Sequence, residues 1–121
     1  MPATARRWDI FCAVIDNFGD IGICWRLSRQ LAAEHGIAVR LWVDDLASFN
    51  KICPQVDVSQ AQQNIAGVTI RLWSASTDWQ ASGVASVVVE ALACNVPIPY
   101  QQLMALQDEK PLWLNLEYLS A

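Results

Sequence analysis

The sequence predicts an α/β fold, a parallel sheet with helices on both of its faces. Three observations predict it. Strand-like and helix-like segments alternate along the chain, which is the order that strand–helix–strand units impose. Several strand-like segments are almost continuously apolar, such as A-S-V-V-V-E at 85–90, and that suits parallel strands covered on both sides. The chain has 121 residues, 54% of them hydrophobic, which is one domain's length with enough apolar material for a core.

The first strand is W-D-I-F-C-A-V-I, Trp8 to Ile15. A turn, D-N-F-G-D, follows at Asp16 to Asp20, and a helix is expected from about Ile21 to His35. Ile23, Cys24, Leu27, Leu31 and Ala32 recur there at helical spacing, while Arg26, Arg29, Gln30 and Glu34 mostly face elsewhere. Gly36 stands where a helix-ending glycine belongs. The second strand is Ala38 to Val43, closed by Asp44 and Asp45. A short helix runs from about Leu46 to Ile52, and Pro54 ends that segment.

Residues 55–66 are polar and glutamine-rich and read as a loop. The third strand is Val68 to Trp73, a second polar loop covers Ser74 to Gly83, and the fourth strand is Ala85 to Glu90. V-P-I-P at 96–99 leads into a helix from about Tyr100 to Gln107, and Pro111 to Leu116 form the fifth strand. Trp8, Trp42, Trp73 and Trp113 fall at strand positions and read as core or sheet edge. Trp25 lies on the first helix. Trp79, in the second loop, is either core or a contact for a partner. The final residues, Glu117 to Ala121, put a carboxylate and an aromatic at a strand end, and read as a domain continuing into a larger protein.

Composition narrows the function. A net charge of −4 argues against a nucleic-acid binder, which should be basic. Charged residues are only 17% of the chain, so part of its surface expects a cover. The four cysteines, Cys12, Cys24, Cys53 and Cys94, form no C-x-x-C pair, and His35 is the one histidine. That excludes a clustered zinc set and suggests buried thiols in a reducing compartment. No run approaches the roughly 20 apolar residues of a bilayer span. Met1 to Arg7 is followed by no signal-peptide pattern. The expected location is cytoplasmic, with no membrane partner.

The densest polar cluster is Asp16-Asn17-Phe18-Gly19-Asp20, at the carboxyl end of the first strand, where open α/β sheets bind ligands. The following helix N-terminus offers free N–H groups and partial positive charge. The segment is neither a G-x-G-x-x-G fingerprint nor a P-loop, since only Gly19 and Gly22 occur and no G-K-[ST] follows. Two carboxylates would repel a phosphate. They suit a cationic or hydroxyl-bearing acceptor that needs a general base. The competing reading is structural: Asp20 caps the helix, and Asp16 and Asn17 are ordinary turn residues. Asn115-Leu116-Glu117-Tyr118 leave the last strand at the same edge, as a second site element or as a polar exit. Glu90 ends the fourth strand there too, and a solvated or paired carboxylate explains it better than a site role does.

Four segments carry a resemblance. D-N-F-G-D-I-G-I-C-W-R-L-S-R-Q-L from Asp16, R-L-W-V-D-D-L at 40–46, V-V-V-E-A-L-A-C-N-V-P at 87–97 and L-W-L-N-L-E-Y-L-S-A at 112–121 resemble the protein-arginine rhamnosyltransferases of bacterial translation elongation factor P. The likeness runs from about Trp8 to the last residue; Ser86 stands where that family has an aspartate. It implies residues 1–121 as the N-terminal, Rossmann-like, acceptor-binding domain of a two-domain inverting GT-B glycosyltransferase. The nucleotide-sugar domain would lie outside this chain. It implies transfer of L-rhamnose from dTDP-β-L-rhamnose to an arginine of elongation factor P, with no metal and no cofactor beyond the donor. By the same resemblance Asp20 is the general base and Asp16 helps hold the acceptor arginine. Asn17, Phe18 and Gly19 line the donor sugar, and Glu117 and Tyr118 join the substrate site. This chain alone is then expected to be inactive. A stand-alone Rossmann-type nucleotide-binding module and a non-catalytic protein-docking module remain the alternatives.

Overall fold

The computed structural model describes residues 7–13, 18–91 and 94–116, with residues 18–20 described at the backbone. Ten elements follow one another: β1 (Arg7–Cys12), α1 (Phe18–His35), β2 (Ala38–Val43), α2 (Leu46–Ile52), β3 (Gln62–Ile65), β4 (Val68–Leu72), α3 (Trp79–Ser82), β5 (Val87–Ala91), α4 (Ile98–Ala105) and β6 (Leu112–Leu116). They build one six-stranded sheet in the order β3-β4-β2-β1-β5-β6. Every pairing is parallel except β3 with β4. β2 and α2 have the bounds the sequence predicts.

Three expectations are corrected. Residues 62–65 are not loop: Gln62-Gln63-Asn64-Ile65 pair antiparallel with β4. An edge strand needs few apolar side chains, because only one flank is hydrogen-bonded and much of it stays wet. The hairpin closes through Ala66 (φ 53°) and Gly67 (φ 81°), two successive left-handed residues that match the twist of tight hairpins. Residues 79–82 form the short helix α3, begun by the Asp78 carboxylate accepting the Ala81 N–H at 3.1 Å. Trp79 on it is 5% exposed: it is core and not a surface contact. Finally, α1 begins at Phe18 and not near Ile21, so Asp20 is its third residue and does not cap it. Gly36 does take the expected positive φ, 61°, and the Ile37 N–H returns to the Leu31 carbonyl.

Both faces carry a core. On one, α1 and α2 pack Ile21, Cys24, Trp25, Leu46 and Phe49 onto Ile10, Leu41, Val43 and Ile70. The buried stripe of α1 is therefore Ile21, Cys24, Trp25 and Ser28, at i, i+3, i+4 and i+7, while Ile23 points outward at 46% exposure. On the other face, α3 and α4 bring Trp79, Tyr100 and Met104 onto Phe11, Trp42 and Val88. Phe11 stacks on Trp42 with ring centroids 5.8 Å apart and meets Tyr100 edge-on at 4.9 Å. Helices on both faces, as predicted, thus seal the central strands.

Asp45 starts α2, its carboxylate accepting the Ala47 and Ser48 N–H groups and the Ser48 hydroxyl. Those hydrogen bonds, from Ser48 first, hold the carboxyl below its ordinary 3.8. A depressed folded pKa adds stability above 3.8, and that increment is lost as pH falls through the lower folded value. Asp45→Ala is expected to cost about 1 kcal/mol at neutral pH. The gap between variant and parent melting temperatures should narrow in acid, which paired thermal melts would read.

Candidate functional site

Parallel pairing brings the carboxyl ends of β1, β2, β4, β5 and β6 to one edge of the sheet. From β1 the chain moves outward through β2 to β4. It then returns to the other flank of β1 through β5 and moves on to β6. The direction of winding reverses between β1 and β5, so a crevice opens outside their carboxyl ends. Ala13 leaves β1 there, and beside it the Cys94 N–H returns to the Ala91 carbonyl at the end of β5. In the sequence the D-N-F-G-D segment falls between β1 and α1, and its last three residues are the first of α1.

Of the residues singled out from the sequence, Phe18, Gly19 and Asp20 form the first turn of α1. Asp16, Asn17, Glu117 and Tyr118 lie outside the described residues. Their described neighbours set the strand ends. Cys12 pairs with Val43, and Ala91 with Leu116.

Glu90 proves structural: its carboxylate accepts the Val96 N–H at 3.0 Å and ties down the turn into α4. Cys94 lies buried on this side. Burial first, then the charges of Cys12, Asp44 and Glu90, push its thiol up to about 12. It stays protonated at neutral pH and is no nucleophile. All four cysteines are buried and none is in a disulfide, as the sequence suggests. Among the described residues no group of three or more His, Cys, Asp or Glu could hold a metal ion. Among them, too, no helix is long and apolar enough to cross a membrane.

Sequence reasoning passed over a buried polar network toward the opposite, amino end of the strands. Arg40 of β2 donates to both carboxylate oxygens of Asp9 in β1, at 2.6 and 2.5 Å. It also reaches the Ser82 and Gly83 carbonyls. The Tyr100 hydroxyl donates to Asp9 at 2.6 Å and accepts the Ala85 N–H at 3.1 Å. Burial, and then the Asp9 charge, push the Tyr100 phenol well above its ordinary range. This fully paired network fixes the turn between α3 and β5 on the sheet. Its signal was one charged residue inside each of two apolar strands, W-D-I-F and V-R-L-W.

Residues 8–121 match the family described as Elongation-Factor P (EF-P) rhamnosyltransferase EarP. Protein-arginine rhamnosyltransferases are similar throughout: that of Pseudomonas putida is 56% identical over 114 residues, 94% of this chain and 30% of the relative. That of Pseudomonas aeruginosa is 54% identical over the same shares. That of Neisseria meningitidis serogroup B is 46% identical over 93% of this chain and 28% of the relative. The chain spans about 30% of the length of the curated relatives it matches. With its sheet, its switch point and this match in agreement, the chain belongs to the EarP family of elongation factor P rhamnosyltransferases.

Proposed function

We propose that this chain is the N-terminal, acceptor-binding half of a GT-B protein-arginine rhamnosyltransferase. The whole enzyme transfers L-rhamnose from dTDP-β-L-rhamnose to an arginine side chain of elongation factor P, with inversion. The observation that carries the reading is the family match over residues 8–121, supported by α1 beginning at Phe18 after β1, the strand beside the switch point.

The chemistry accounts for two carboxylates. A guanidinium is protonated at neutral pH, with a pKa above 12, and its lone pairs are delocalised. One carboxylate, Asp16, pairs with the planar fork and orients it. The other, Asp20, takes a proton as the nitrogen attacks the anomeric carbon. The N–C bond forms, the bond from that carbon to the diphosphate oxygen breaks, and dTDP departs. An Asp that takes the proton only as the bond forms need not match the guanidinium in basicity. Asn17, Phe18 and Gly19 line the sugar, and Glu117 and Tyr118, which follow β6 in the sequence, join the substrate site. The diphosphate contacts come from the C-terminal domain, the reaction needs no metal, and the enzyme works in the cytoplasm on a protein acceptor.

The test is turnover. The full-length protein should rhamnosylate elongation factor P when given dTDP-β-L-rhamnose, read as added mass on the acceptor. The 121-residue chain alone should give no product. Turnover by the chain alone would defeat the division of labour, and no turnover by the full-length protein would defeat the assignment.

A further inference from the structure

The sheet face covered by α3 and α4 changes character beyond β2. In register, Arg40 pairs with Thr69 and Trp42 with Arg71. Gln62 pairs with Arg71, and Asn64 with Thr69. Directly paired residues point to the same face, so this surface of β2, β4 and β3 presents Arg40, Arg71, Thr69, Gln62 and Asn64. They line, with Arg7, a cavity of about 410 Å³ that contains no acidic residue in its wall. That size suits a small ligand. It lies toward the amino ends of the strands, away from the edge that carries Asp20.

Three guanidinium groups share this cavity in a chain whose net charge is −4. Arg40 is neutralised by Asp9. Neither of the other two has an ion pair among the described residues. Arg71 has no ion pair or hydrogen bond among the described residues; it lies over the Trp42 ring, 4.7 Å from its centroid. Arg7 gives one hydrogen bond to the Val84 carbonyl, and its buried Nε has no acceptor. Buried donors are normally satisfied, and the Arg7 Nε is not. Desolvation first, and then the Arg40 charge, press the Arg71 guanidinium below its ordinary value. Thr69 already accepts from the Asn64 amide at 3.3 Å, which leaves its hydroxyl proton to donate elsewhere.

We propose that this cavity is a binding site for a small phosphate ester. Arg71 and Arg7 supply two positive charges for the dianion, and the Thr69 hydroxyl and the Gln62 amide are donors for the remaining oxygens. Guanidinium forks match phosphate oxygens in pairs, which gives the site geometry as well as charge. The site is separate from the transferase site and does not depend on that function.

Titration of the chain with inorganic phosphate and with phenyl phosphate, at constant ionic strength, tests it. The Nε–H resonances of Arg7 and Arg71 are read by NMR. The expected result is saturable shifts at both, weakened at least about tenfold, the loss of one strong charge-assisted contact, in Arg71→Gln. Arg71→Lys, which keeps charge without the fork, should fall between. Parent-like backbone spectra of both variants establish that they fold. Linear responses reproduced by sodium chloride, or equal binding by Arg71→Gln, would overturn the proposal. Succinate binding as tightly as phenyl phosphate would overturn the assignment to phosphate.

Discussion

Asp20→Ala in the full-length enzyme is expected to lower kcat for arginine rhamnosylation by about a thousandfold, within the range a general base contributes. The fold should hardly notice. Asp20 is the third residue of α1 and not its cap. Alanine is the best helix former, and the lost interaction with the helix dipole is worth only about 0.3–1 kcal/mol. A collapse in rate beside a nearly unchanged melting temperature is the signature of a base. Asp20→Asn, with the same shape and no basic oxygen, should fall as far. Asp16→Ala should raise KM for the acceptor as well as slow the reaction, since its proposed part is to hold the guanidinium. Activity that survives Asp20→Ala would place the base elsewhere and leave this residue a purely structural role.

Asp9→Ala should have the largest effect on stability. It strands the Arg40 guanidinium, 7% exposed, without its counter-charge, and takes the acceptor from Tyr100. Removing one partner of a buried pair costs about 3–5 kcal/mol. At this chain length that is a fall in melting temperature of roughly 10 °C or more. Arg40→Ala should do comparable harm, because it also frees the Ser82 and Gly83 carbonyls. Asp9→Leu combined with Arg40→Met removes both charges together and should be less damaging than the two single costs summed. Urea unfolding of the four proteins checks this. Single variants that each lose under about 1 kcal/mol would show that the pair contributes little, as exposed pairs do.

Legibility in the sequence followed the strength of local signals. A-V-R-L-W-V and the Asp45-led helix were readable to the residue, because an apolar run and a capped turn are both local. Q-Q-N-I was not: its strandedness comes from β4 beside it, and nothing in four polar residues announces that. The helix α3 is too short to show a period, so Trp79 looked like a loop residue although it packs against Phe11, Trp42 and Tyr100. The outward turn of Ile23 follows from where α1 meets the sheet, and composition does not contain that. Asp9 and Arg40 stand 31 residues apart, and only the parallel pairing of β1 with β2 brings them together. For the candidate site, the place of the end of β1 at the switch point was legible and the role of the residues was not. A turn after the first strand of an α/β sheet marks a crevice, whereas the reading of Asp20 as base rested on resemblance.

The strand order also governs how the chain can reach this structure. β1 is made first, yet it lies between β2 and β5 and is not flanked on both sides until β5 exists. Its Asp9 meets Tyr100, which stands 91 positions further along the sequence. Such non-local closure is slow, because loop entropy is lost before contacts repay it. During synthesis, then, the earliest strand should wait with one open flank, a stage at which an apolar strand is prone to mispair. The centre of the sheet becomes complete only when residues near 100 have left the ribosome, so folding of this domain is set by its late segments.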